Sequence, residues 1–187
     1  MLKRLALAAA LVALPFAAWA FVKPLRVLAP QLEGLTCRGS VCVDDPSRGA
    51  EALALYRDAV QQVQASVGTL DTMPRAVFCS TAACSEKFGF TAVLAYTVGT
   101  SAIVISHRAW RPYLIRHELI HYLQNERLGS IRAWLFKPVW FREGMAYAMS
   151  GDPRVPLPEP LEGYRSQFEI WLEQVGRASL WVEAERL

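Results

Sequence analysis

The sequence predicts a single α+β domain in which several helices accompany a short antiparallel or mixed sheet. Its 187 residues lie within the range of one domain and are enough to bury a core. Two stretches, 114–123 and 139–148, carry apolar residues at helical spacing. Between 92 and 106, two short stretches rich in apolar and β-branched residues flank a Gly-Thr pair, which is typical of a hairpin.

Residues 1–20 are predicted to be a signal peptide and not part of the fold. Basic residues at positions 3 and 4 precede an apolar run over 5–18, and Ala-Trp-Ala at 18–20 has the small-x-small pattern of a signal-peptidase site. The run is short for a membrane span and contains Pro15. We expect an exported protein of the periplasm or cell envelope with one domain over 21–187. The alternative is an uncleaved anchor that extends to Val22 and attaches the domain to the inner membrane.

The four cysteines agree with export. They form two pairs with a spacing of five, and neither pair has the CxxC spacing of zinc ribbons or redox sites. In an oxidising compartment the simplest pairing is local, although cross-pairing stays open and a four-cysteine metal site is the rival interpretation. The residues concerned are Cys37 and Cys42, and Cys79 and Cys84.

The first half of the domain is predicted to hold one helix and one strand. Residues 23–47 carry several turn residues and form a loop-rich entry segment. An amphipathic helix follows over 47–67. A short strand is expected at 75–79, and then a turn that holds the second cysteine pair. The hairpin pairs 92–98 with 101–106.

The next helix begins near Pro112 and ends near Gly129, both of which suit helix ends. It contains an HExxH motif, and His117 and His121 are two of the chain's 3 histidines. Residues four apart lie on one face of a helix, so both imidazoles reach one tetrahedral Zn²⁺ at about 2.0–2.1 Å. Glu118 lies beside them, where its carboxylate can take a proton from a zinc-activated water. The alternative is a pair of hydrogen-bonded core histidines with a solvated Glu118.

A third ligand is predicted from the following helical stretch, which contains Glu143. A catalytic zinc takes three protein ligands and one open position, and two histidines with one glutamate are a known set. The alternative for Glu143 is a surface carboxylate at a helix N-terminus, where the helix dipole favours negative charge.

These two elements, HELIH at 117–121 and WFREGMAYA at 140–148, resemble the gluzincin class of zinc metallopeptidases, which includes the thermolysin-like and the M1-type aminopeptidase-like enzymes. The resemblance covers about residues 95–150 and implies a small zincin-like fold. It also implies that the two histidines and Glu143 bind one zinc ion, and that Glu118 acts as general base and acid. The metzincin pattern requires a third histidine at the position of Arg127 and is excluded.

The sequence departs from the family pattern in ways that bear on function. Thermolysin-like enzymes carry an aspartate where this chain has Tyr147, which either hydrogen-bonds a ligand or packs between helices. The Gly-x-Met-Glu-Asn motif of the aminopeptidases is missing upstream, which favours an endopeptidase. Tyr164 and His107 are candidates to stabilise the oxyanion, with ordinary packing or surface roles as the alternative.

The remaining segments are predicted to surround the site. Residues 129–138 link the two metal helices, and their apolar side chains, Trp134, Leu135 and Phe136, are expected to cover it. Four prolines in 151–160 require an extended path, either at the rim of the cleft or as a plain connector. Two helices over 164–176 and 179–186 close the domain. By the resemblance, the strand at 102–106 forms one wall of the cleft and offers its edge to a substrate backbone.

We therefore expect an exported zinc-dependent endopeptidase with a polypeptide substrate. Two rivals remain: an envelope binding or assembly factor that holds zinc without turnover, and a zinc hydrolase of a cell-wall amide. A formal net charge of +3, with the basic residues scattered singly, argues against nucleic-acid binding.

Overall fold

A computed structural model of the chain describes residues 23–89 and 92–187, and the signal segment expected at 1–20, with its alternative extension to Val22, lies outside them. The described residues form the predicted α+β architecture, with helices packed on a five-stranded mixed sheet. The strands are β1 (Thr36–Arg38), β2 (Val41–Val43), β3 (Arg75–Phe78), β4 (Ala95–Val98) and β5 (Ala102–Ile105). The helices are α1 (Gly49–Ser66), α2 (Ala82–Lys87), α3 (Pro112–Leu128), α4 (Ser130–Phe136), α5 (Val139–Met149), α6 (Leu161–Val175) and α7 (Leu180–Arg186).

The sheet has the order β1-β2-β3-β5-β4, with a parallel centre and antiparallel strands at both edges. Successive side chains of a strand point to opposite faces, so the two central strands fill two separate cores. Phe78 and Ile105 pack into the larger core with α1 and α3. Val77 and Val104 face the smaller core with the entry segment and both disulfide-bonded turns.

The entry segment contains more structure than its turn residues predict. β1 and β2 form a hairpin in which Cys37 lies directly opposite Cys42, and a disulfide joins them. The second disulfide joins Cys79 to Cys84, the latter in α2, a helix where only a turn was expected. The side chain of Thr81 caps this helix by accepting a hydrogen bond from the backbone N–H of Cys84 at 3.1 Å. The local pairing is confirmed, and the four-cysteine metal site is wrong because all four sulfurs are bonded.

The predicted hairpin is present as β4 and β5. The prediction that residues 102–106, which form β5, offer an open edge to a substrate is wrong. β5 is hydrogen-bonded to β3 on one side and to β4 on the other, so its edges are both occupied. β4 returns antiparallel outside β5 and becomes the last strand of the sheet. Within residues 23–89 and 92–187, the open edge beside α3 therefore belongs to β4.

Helix α3 is the central helix of the larger core, and it begins and ends at the proline and glycine that the sequence indicates. Gly129 adopts a positive φ of 79°, which ends the helix, and α4 starts immediately afterwards within the segment expected to be a plain link. Helices α5 and α6 pack closely at Gly144, where an added Cβ would overlap the backbone oxygen of Tyr164. This close approach fixes the helix that carries Glu143.

Two disulfides are compatible with an exported protein. Among residues 23–89 and 92–187, none of the helices combines the length and the apolar character that crossing a bilayer requires.

Candidate metal centre

Helix α3 presents both motif histidines to the same point. The Nε2 atoms of His117 and His121 lie 3.1 Å apart, as expected for side chains one turn apart on one helix face. Helix α5 brings Glu143 to them from the opposite side, with its Oε2 at 3.8 Å from Nε2 of His117 and 3.6 Å from Nε2 of His121. The structure thus brings together the three residues predicted as ligands.

These three residues fit a metal ion in both distance and chemistry. Ligand atoms on a tetrahedral zinc with bonds of about 2.0–2.1 Å stand about 3.3 Å apart, and the three observed separations lie on either side of that value. One ligand atom from each residue lies within 4.8 Å of the others. Two imidazole nitrogens and one carboxylate oxygen form a donor set suited to zinc.

Burial and the contacts among the three residues shift their pKa values. Burial lowers the pKa of His117 to about 3, and the neighbouring His121 acts in the same direction. Burial also opposes a charged His121, but the hydrogen bond and charge of Glu143 outweigh it and raise the pKa of His121 to about 9. The same contact lowers the pKa of Glu143 to about 2, although burial opposes its charge.

Gln124 orients His121 and was not identified from the sequence. Its Nε2 donates to the backbone oxygen of Arg142 at 3.0 Å, so its Oε1 faces His121 Nδ1 at 2.9 Å and can only accept. We therefore assign a proton to Nδ1 of His121, which leaves the Nε2 lone pair free to bind a metal. The sequence signal that could have found Gln124 is a polar residue within the apolar pattern of the helix, and the structure shows its side chain buried.

The general-base candidate Glu118 is buried beside the cluster. Burial raises its pKa, while the charge of His121 and a hydrogen bond from Thr97 act in the opposite direction. The hydroxyl of Thr97 lies 2.7 Å from Glu118 Oε2 and 2.9 Å from the backbone oxygen of the same residue. Thr97 belongs to the edge strand β4, so this hydrogen bond holds the Glu118 carboxylate beside the open edge. Sequence patterns do not show this contact.

The other three candidate residues have different surroundings. The ring of Tyr147 packs edge-on against His117, with ring centroids 4.5 Å apart, so its contact with that histidine is one of packing. His107 is exposed and its Nδ1 lies 2.9 Å from the hydroxyl of Ser85. Tyr164 lies on α6 behind Gly144. Neither His107 nor Tyr164 lines the cleft at the metal cluster, so the structure does not support their oxyanion roles.

The cluster lies in an open cleft of about 540 Å³ between β4, α3 and α5. The extended segment expected at its rim does contribute, since Arg154 lines the cleft. Of the three apolar residues expected to cover the site, only Trp134 lines it. Leu135 and Phe136 are 56% and 70% exposed, and their expected covering role is wrong because the short helix α4 turns them outward.

Comparison of the chain with known protein families, with curated proteins and with solved structures finds no match.

Proposed function

We propose that this protein is an exported zinc-dependent endopeptidase with a minimal zincin-like arrangement. The observation that carries the proposal is the convergence of His117, His121 and Glu143 within one cleft that Glu118 also lines. Three ligands with a solvent-accessible remaining position are typical of catalytic zinc, whereas structural zinc is enclosed by four.

The protein's own groups suit hydrolysis of an amide. Zinc, when bound, polarises the substrate carbonyl and makes water more acidic. Glu118 accepts the proton of the attacking water and returns it to the leaving amine. Its burial raises its pKa, which makes the carboxylate a stronger base than a free glutamate, and Thr97 holds it in position.

The edge strand supports a polypeptide substrate. The backbone N–H of Ser106 donates to the oxygen of Leu94 at 3.0 Å, and the register pairs Tyr96 with Val104. Hydrogen bonds alternate along an antiparallel pair, so the backbone groups of Ala95 and Thr97 point away from β5. An extended peptide can add to this edge as a further strand, with its backbone beside Glu118.

The test is hydrolysis of casein by the purified protein and its Glu118→Gln variant, with zinc content measured on the same samples. We expect the variant to keep its zinc and to lose activity by a factor of about 10²–10⁴, because it has lost the base. Glu169→Gln, which changes an exposed carboxylate on α6, is the matched control and should retain full activity. Full activity of Glu118→Gln would overturn the mechanism.

A further inference from the structure

Arg142 carries a positive charge for which residues 23–89 and 92–187 supply no hydrogen-bonded carboxylate. Its side chain lines the cleft, immediately before the ligand Glu143 in sequence. Its Nε is buried and has no hydrogen-bond partner within residues 23–89 and 92–187. A buried N–H without a partner costs free energy, so the described protein groups do not satisfy the guanidinium fully.

The position of Arg142 is fixed by its backbone. Its carbonyl oxygen accepts the hydrogen bond from Gln124, which also contacts His121. The Arg142 backbone is therefore held beside His121 by a side chain of helix α3.

The second arginine of the cleft provides a contrast. Asp152, whose side chain is 1% exposed, accepts hydrogen bonds from Nε of Arg154 at 2.9 and 3.1 Å. The Arg154 guanidinium lies over the rings of Tyr113 and Tyr147, at 5.5 and 6.0 Å from their centroids. Among the described residues, Arg154 therefore has a hydrogen-bonded carboxylate partner and Arg142 has none.

We propose that Arg142 forms a subsite for a carboxylate of the peptide substrate, close to the bond that is cleaved. A guanidinium matches a carboxylate in geometry and can donate two parallel hydrogen bonds to it. The carboxylate comes either from an aspartate or glutamate side chain or from the free end of the peptide. This inference names the substrate class of the proposed peptidase and therefore rests on the proposed function.

Binding can be measured without turnover in the zinc-loaded Glu118→Gln variant. The probes are blocked, fluorescently labelled alanine peptides that contain one glutamate, or one glutamine at the same position, and a third peptide with a free C-terminal carboxylate. We expect the preferred carboxylate peptide to bind about tenfold more tightly than its neutral counterpart, as for one charge-assisted hydrogen-bonded pair. The two carboxylate peptides distinguish a side chain from a chain end.

Adding Arg142→Gln should remove the preference and leave binding of the neutral peptide within about twofold, whereas Arg142→Lys should keep part of it. Arg57→Gln, an exposed charge on α1, is the matched control and should change nothing. Equal binding of acidic and neutral peptides by the Glu118→Gln protein with Arg142 intact would overturn the subsite, as would the absence of peptide binding. Casein hydrolysis without an acidic preference refutes only the subsite, and an acidic preference without hydrolysis refutes only the peptidase.

Discussion

Replacing Gln124 with alanine should weaken zinc binding although Gln124 is not a ligand. The change leaves the Nδ1–H of His121 without its acceptor and removes a side-chain hydrogen bond to the backbone oxygen of Arg142, which lies within helix α5. An unpaired buried group costs about 1–3 kcal/mol, so the free energy of unfolding should fall by at least that amount. Loss of a hydrogen bond that orients a ligand histidine typically reduces metal affinity about 10–100-fold, equivalent to about 1.4–2.7 kcal/mol.

The assay is competition for zinc against a chelator of known affinity, paired with chemical denaturation of the metal-free protein. Gln124→Glu separates the two roles, because a carboxylate still accepts from His121 but cannot donate to Arg142. We expect it to keep zinc affinity near the parent value while lowering stability. Gln62→Ala, at an exposed site on α1, is the control for removal of a glutamine side chain. Parent-like zinc affinity in Gln124→Ala would refute the orienting role.

Three further predictions concern the base, the metal and the helix interface. Thr97→Val removes a hydrogen bond that favours the charged form of Glu118, so the acid limb of the kcat/KM profile should move to higher pH, whereas Thr97→Ser should not move it. Zinc binding at pH 7.5 should release about one proton, because metal-free His121 is still protonated below its pKa of about 9 and binds metal only when neutral. Calorimetry in buffers of different ionisation enthalpy measures the number of protons released, which should fall above pH 9. Gly144→Ala forces a Cβ to within 2.8 Å of Phe168 Cβ. Chemical denaturation should show a free energy of unfolding lower by about 1–3 kcal/mol, and zinc binding should be weaker. Unchanged stability would contradict the close packing of α5 on α6.

The sequence predicts the parts of the site that depend on local geometry. His117 and His121 share a helix face because of their spacing alone, and helix α3 begins and ends at residues with known helix-end preferences. Glu143 was expected as a partner from the motif that surrounds it, and the structure places it beside both imidazoles.

The residues that orient the candidate base and the candidate metal ligands depend instead on contacts between segments distant in sequence. Thr97 meets Glu118 only because β4 lies at the sheet edge beside α3, and that position follows from the pairing of β5 with the distant strand β3. Local patterns predict the hairpin but not which of its strands remains open. In the same way, Gln124 has an apolar stripe around it in sequence, and its partner at Arg142 becomes evident only when α3 meets α5.

The most direct test of the account is the zinc content of the purified protein and of two single variants, His121→Ala and Glu143→Ala, measured by elemental mass spectrometry. We expect one zinc per chain in the parent protein and a large loss in both variants after dialysis against a weak chelator. A parent protein that holds no stoichiometric metal when zinc is supplied, or variants that keep their zinc, would contradict the assignment of these side chains as ligands.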